Sequence, residues 1–135
     1  MNALVAKLKK LSDFVGQTRG QEYFELLVLA LSEIIECDFV FIGQPNNRAN
    51  RCSTVAVSAF NRIEENFTYE LNNTPCEAVT NSGVCCYQSK VAELYPKDQL
   101  LKDMRVESYI GMPLYSAQGN VLGIVVAMHT AAIES

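Results

Sequence analysis

The stretch from Val106 to His129 constrains the fold more than any other part of this chain. It reads as two apolar strands, Val106 to Tyr115 and Val121 to His129, joined by Ala117-Gln-Gly-Asn120, a hairpin loop that contains glycine. Along the first strand Ser108, Ile110, Met112 and Leu114 occupy one face, with Tyr109 and Tyr115 on the other. Along the second, Val121, Val125 and Ala127 oppose Leu122, Ile124, Val126 and Met128. A strand that faces water on one side alternates apolar with polar residues; this hairpin is apolar on both. It is therefore expected in the middle of a sheet that is covered on each side.

The rest of the chain supplies the covering layers. Leu4, Val5, Leu8, Leu11 and Val15 recur at three- and four-residue spacings between Lys7, Lys9, Lys10 and Asp13, which predicts an amphipathic helix over 3–15, ended by Gly16. Thr18-Arg-Gly-Gln21 matches a capping box and opens a second helix over Glu22 to Glu36, apolar on most sides. Phe39-Val-Phe-Ile42 is a short strand closed by Gly43, and Gln44 to Asn50 is dense in turn formers. Cys52 to Phe60 and Asn66 to Leu71 are two more strands, the latter with Phe67, Tyr69 and Leu71 on one face. Thr74-Pro-Cys-Glu77 is a second capping box, with proline at the first helical position, and starts a short helix that ends near Ser82-Gly83. Val84 to Tyr87 is a brief strand, and Asp98 to Met104 another short helix. Helices, strands, short helices and strands in this order predict an α+β sandwich around a mainly antiparallel sheet.

At 135 residues, with 49% hydrophobic and 19% charged side chains, the chain suits one domain with one core. Its net charge of -4 repels phosphate backbones and anionic lipid, so neither a nucleic-acid nor a membrane partner is expected. Apolar runs such as Leu26 to Leu31 fall short of the roughly 18 residues of a bilayer span. The amino terminus has its charges after its apolar residues, the reverse of a secretory signal, and the cysteines number five, which argues against a disulfide framework. A reducing, cytoplasmic setting is the expectation.

No glycine spacing fits a dinucleotide or phosphate loop. His129, the single histidine, reads as a packed or hydrogen-bonded strand-end residue rather than a general base or haem ligand. Cys76 sits in a helix first turn, a place that can lower a thiol pKa. Cys85 and Cys86 are neighbours on a strand and point to opposite faces, which argues against a metal site. These three cysteines either pack and line a cavity or act as reactive thiols. Tyr69, Tyr87, Tyr95 and Tyr109 likewise either wall a cavity, with apolar rings and polar tips suited to a small organic ligand, or finish the sheet surface.

Asn73-Thr-Pro-Cys-Glu77, Val84-Cys-Cys-Tyr87, Tyr95-Pro-Lys-Asp98 and Glu107 to Leu114, followed by Gly119-Asn-Val-Leu-Gly123, resemble the GAF domain family, in the branch attached to bacterial sensor kinases and GGDEF/EAL proteins. The resemblance runs from about Gln21 to about Ile133. It implies a PAS-like, profilin-type, six-stranded antiparallel sheet with amino-terminal helices on one face and short helices and loops over a pocket on the other. It also implies a division into a signalling helix and turn, residues 1–18, and a sensory domain, residues 19–135. The pocket residues it implies are Tyr69, Thr74, Cys76, Val79, Cys86, Tyr87, Tyr95, Asp98, Leu101 and Tyr109, with Gly111 and Pro113 in the floor.

What such a domain does follows from the same resemblance. It binds an unidentified small molecule, with no catalysis of its own, and passes occupancy through terminal helices to an output domain, a kinase or a GGDEF/EAL unit, in two-component or cyclic-di-GMP signalling. Leu4, Leu8, Leu11 and Val15 would pair with a twin helix in a homodimer. Relatives continue beyond the position of Ser135 toward that output domain, so this chain is expected to be a piece of a longer regulator. Bilin-binding relatives carry a Cys-His pair, and no Cys here precedes a His. Two alternatives stand beside this reading. One is the family's free methionine sulfoxide reductase, using Cys76, Cys85 and Cys86, although the Cys and paired carboxylates of that enzyme near Met104 to Val106 are missing. The other is a structural dimerisation domain with no ligand.

Overall fold

The computed structural model describes residues 5–6, 21–46 and 48–133. Helix α1, Gln21–Ile35, is followed by β1 (Phe39–Asn46), β2 (Arg51–Ala59), β3 (Arg62–Glu64) and β4 (Thr68–Glu70). Helix α2 (Pro75–Ser82), β5 (Cys85–Tyr87), α3 (Val91–Leu94) and α4 (Gln99–Asp103) lead to the closing hairpin, β6 (Ser108–Tyr115) and β7 (Val121–His129). All pairings are antiparallel, in the order β3-β2-β1-β7-β6-β5, with β4 also on β2. β7 is thus central, as its two apolar faces require. Of the amino-terminal helix, Leu4, Leu8, Leu11 and Val15 lie outside the described residues; Val5 and Ala6 are helical and exposed.

Seven strands replace the expected six because the edge beside β2 is split in two. β3 pairs with Val57 to Ala59 and β4 with Arg51 to Ser53, while between them Thr54 Oγ1 bonds Asn66 Oδ1 at 2.8 Å and takes the Phe67 N–H at 2.8 Å. A side chain here competes with the ladder and interrupts it. β1 does not stop at Gly43: it runs on to Asn46 through a register shift at Ile42/Gly43. A Cβ on Gly43 would lie 2.6 Å from the Cys52 Sγ, so a glycine is what lets β1 and β2 continue past that thiol. Helix α3, four residues long, has no amphipathic repeat to announce it.

Two cores sandwich the sheet. Val28 of α1 packs with Val40, Ile42, Ala56 and Ala127 on one face. Phe41, Cys52, Cys76, Val79, Tyr109, Ile124 and Val126 belong to the larger cluster on the other, under α2, α3 and α4. In β7 the register skips Leu122, pairing Leu114 with Gly123 and Tyr115 with Val121. The skipped residue reverses the alternation, so Val121 packs against the Ile124 cluster and Leu122 is exposed, the opposite of the faces the sequence pattern suggests. Coverage of the hairpin is also uneven: among the described residues Met112, Leu114 and Leu122 remain exposed on the α1 side.

Candidate functional site

The roof over the larger core is built from two capped helices. Thr74 caps α2, its Oγ1 accepting from the Glu77 N–H at 3.3 Å and donating to the Leu71 carbonyl at 2.7 Å. Asp98 caps α4, accepting from the Leu101 N–H at 3.3 Å. Burial raises the Asp98 carboxyl above its ordinary value, against the lowering effect of the backbone bonds at the cap. Between the two caps lies an open cleft of about 460 Å³, bordered by Tyr69, Asn73, Thr74, Lys97, Asp98 and Gln99. Asn73, with φ 63°, sits in the left-handed region that asparagine tolerates, which turns the chain into the helix.

Beneath the cleft the interior is filled. Val79 descends onto Gly111, where a Cβ would meet its Cγ2 at 2.5 Å and the Tyr109 ring at 2.9 Å. Tyr109 and Val79 are 0% exposed, Leu101 1% and Cys76 4%. The Cys76 Sγ lies 3.0 Å from the Tyr109 hydroxyl. Burial raises this thiol to about 12, because desolvation outweighs any lowering by the helix terminus; of the two readings left open for Cys76, the packed one fits. The Tyr69 hydroxyl is buried beside the thiols of Cys52 and Cys76 and meets hydrogen-bond geometry with neither. Toward the rim the rings continue, Tyr109 to Tyr87 at 6.0 Å and Tyr87 to Tyr95 at 5.6 Å between centroids, with the last two hydroxyls 2.6 Å apart.

The ten residues expected at a pocket therefore separate into groups. Tyr69, Thr74 and Asp98 border the cleft. Cys76, Val79, Leu101 and Tyr109 form the packed layer below it, and Tyr87 and Tyr95 join that layer from the side. Cys86 does not join them. It pairs with Ile110 on β6 and is exposed, while its neighbours Cys85 and Tyr87 pack against the core, because alternation sends consecutive side chains to opposite faces. Gly111 and Pro113 are buried in the floor. Lys97 and Gln99 border the cleft within the segment from Tyr95 to Leu101 that the resemblance puts in the roof, whereas Asn72 and Asn73 border it without having been expected there; the only signal for them was the cluster of turn formers before the α2 cap. Among the described residues no group of three or more His, Cys, Asp or Glu could hold a metal ion, and no helix is long and apolar enough to cross a membrane.

A sheet of this order, with one long helix behind it and short capped helices in front, defines an open-sheet α+β fold, and comparison places it. The GAF domain family model matches residues 19–134, so the chain belongs to the GAF domain family. The GAF domain of an Acinetobacter phosphoenolpyruvate-protein phosphotransferase is similar at TM-score 0.74 and 12% identity, over 99% of this chain and 81% of that one. The phycocyanobilin-bound GAF domain of a cyanobacterial phytochrome is similar at 0.69 and 15% identity, over 98% and 82%. The bacteriophytochrome RpBphP3 of R. palustris is similar at 0.75 and 8% identity, over 100% of this chain and 33% of that longer one. No curated protein matches the sequence.

Proposed function

We propose that this chain is the sensory module of a cytoplasmic signalling protein, without catalysis of its own, and that its ligand is a small organic molecule held between α2, α4 and the tyrosine layer. The observation that carries this reading is the Tyr69 hydroxyl, buried at the border of the cleft with only two thiols, weak hydrogen-bonding groups in poor geometry, beside it. A buried hydroxyl left unpaired costs about 1–3 kcal/mol, a cost that phenylalanine would avoid. A polar ligand atom that reaches in from the adjoining cleft would supply the partner. The interior under α2 is closed in this state, so binding involves withdrawal of a layer residue such as Tyr109 or Leu101. The bilin in one similar structure supports small-molecule binding, but here no Cys precedes a His, so a covalently attached bilin is not part of the proposal.

The output would run through the terminal helices. Leu4, Leu8, Leu11 and Val15 form the stripe proposed to pair with a twin helix, and the exposure of Val5, at 59%, is in keeping with an apolar surface held for a partner. Leu8→Asp is expected to convert a dimer to a monomer in sedimentation; an unchanged coefficient removes the helix from the interface. An output domain of kinase or GGDEF/EAL type completes the scheme. The reductase alternative is disfavoured because Cys76 is buried and its thiol is pushed up to about 12; of its two possible partners Cys86 lies on the opposite face of the sheet, while Cys85 packs against the same core as Cys76.

Native mass spectrometry of protein purified without added ligand, followed by thermal shift against a metabolite library, tests the reading. A retained or stabilising molecule whose affinity falls about tenfold in Tyr69→Phe supports it. If no molecule is retained and none shifts the melting temperature, the domain is a structural one.

A further inference from the structure

At the other end of β2 from the capped cleft, the β2–β3 connection is a two-residue hairpin turn made of Phe60 and Asn61, with φ 50° and 64°. Two successive left-handed residues define a turn that strongly favours asparagine, aspartate or glycine at its first position. Phenylalanine there is strained, because its Cβ crowds the backbone in that region. The strain brings no burial in return: Phe60 is 63% exposed, its ring resting edge-on against Phe39 at 5.1 Å. Another left-handed residue, Arg105, with φ 55°, follows α4 across the gap. Its guanidinium has no ion-pair partner among the described residues.

Phe39, Phe60, Asp103, Met104, Arg105 and Thr130 line a cleft of about 600 Å³ between these two points. Phe39, Phe60 and Met104 give it apolar lining, and the exposed side chains of Arg105, without an ion-pair partner among the described residues, and Asp103 stand at its border. Asp103 accepts from the Gln99 amide at 2.8 Å through Oδ1, and its Oδ2 takes no bond among the described residues. The nearby Asp38 carboxylate is committed elsewhere, accepting from the Thr130 N–H at 3.1 Å and the Thr130 hydroxyl at 2.6 Å and lying 3.2 Å from His129 Nδ1. A strained and largely exposed aromatic residue beside a cleft is the kind of position at which strain serves a site.

We propose that this cleft is a second small-molecule site, independent of the capped cleft, which takes a free α-amino acid with an aromatic or long aliphatic side chain. The carboxylate of the ligand meets Arg105, its ammonium meets Asp103, and its side chain lies on Phe39, Phe60 and Met104. A volume of about 600 Å³ falls in the range of ordinary ligand pockets and admits such a molecule with room to spare. The opposite charges on one rim select a zwitterion over a simple anion or cation.

Calorimetric titration of the full chain with L-phenylalanine tests this, with 3-phenylpropionate lacking the ammonium and 2-phenylethylamine lacking the carboxylate. Saturable binding of L-phenylalanine is expected, with both analogues weaker by about tenfold, the worth of one charge-assisted bond. Arg105→Met and Asp103→Asn should each weaken it to a similar degree. Phe60→Asn gives the sharpest readout: it relieves the turn, so the melting temperature rises by about 4 °C, while affinity for L-phenylalanine falls about tenfold. A more stable variant that binds less well cannot be explained by misfolding. Absence of saturable binding, equal affinity for 3-phenylpropionate, or unchanged affinity in Phe60→Asn would each overturn the proposal.

Discussion

The two faces of the sheet are packed by different chemistry. Under α1, Val28, Val40, Ile42, Ala56 and Ala127 form a small aliphatic layer with few polar atoms. Under α2, α3 and α4, rings and thiols dominate, and several carry polar tips into the interior: Tyr69, Tyr109, Cys52 and Cys76. Aliphatic packing serves stability alone, whereas a layer of phenols and thiols accepts weaker satisfaction of its polar groups in exchange for hydrogen-bonding capacity. Among the described residues each face hides one hydroxyl without a well-formed hydrogen bond, Tyr69 Oη on the roofed side and Ser58 Oγ on the α1 side. They differ in what surrounds them. Tyr69 also borders the capped cleft and has two thiols for neighbours, while Ser58 is 0% exposed beneath α1.

The largest effect should come from the anchor of the roofed face. Phe41, 2% exposed, meets Phe67 and Tyr69 edge-on at 6.0 Å and 5.9 Å between centroids. Phe41→Ala should cost about 3–5 kcal/mol in urea unfolding, enough to threaten a domain of this size. Gly111→Ala comes next: its methyl would press on Val79 and the Tyr109 ring, costing about 1–3 kcal/mol and splaying α2 from the sheet. If it proves neutral, the roof is looser than its contacts indicate.

The two hidden hydroxyls give the direct comparison. Ser58→Ala and Tyr69→Phe should each leave stability unchanged or raise it by about 1 kcal/mol, since each removes an unsatisfied group. Only Tyr69→Phe should alter ligand response; matched behaviour of the two variants would erase the functional distinction between the faces.

The smallest effect is one of pH. Burial holds the Asp98 carboxyl above its ordinary value, so the folded state binds that proton more tightly than the unfolded chain does. Its contribution to stability is fully present below the unfolded value and is lost as pH rises through the folded one. Asp98→Asn keeps an acceptor at the α4 cap, so it should equal or exceed the parent near neutrality, with the advantage closing below about pH 4. Denaturation midpoints measured across that interval check the sign.

Local rules carried a large part of this structure. Thr74-Pro75 and Asp98 announce the starts of α2 and α4 because capping is decided within four residues, and the β6–β7 hairpin is legible because its alternation and loop are contiguous. The splitting of the edge into β3 and β4 was not legible, since it depends on Thr54 meeting Asn66 from another strand. Nor was the exchange of Val121 and Leu122 between faces, which arises where β7 must match the length of β6.

The candidate site divides along the same line. Residue types at Tyr69, Thr74, Cys76, Asp98 and Tyr109 pointed to the region, because turn formers, caps and tyrosines stand out in a linear reading. Which of them are accessible was decided by packing: Val79 fits onto Gly111, closes the interior over Tyr109 and leaves Thr74 and Asp98 at the open rim. The short-range pattern of this chain determined α1, α2 and α4, its central hairpin and the chemistry available to a site. Only the tertiary structure decided where space remains, because free volume belongs to surfaces contributed by residues distant in sequence, and no local pattern records how closely they meet.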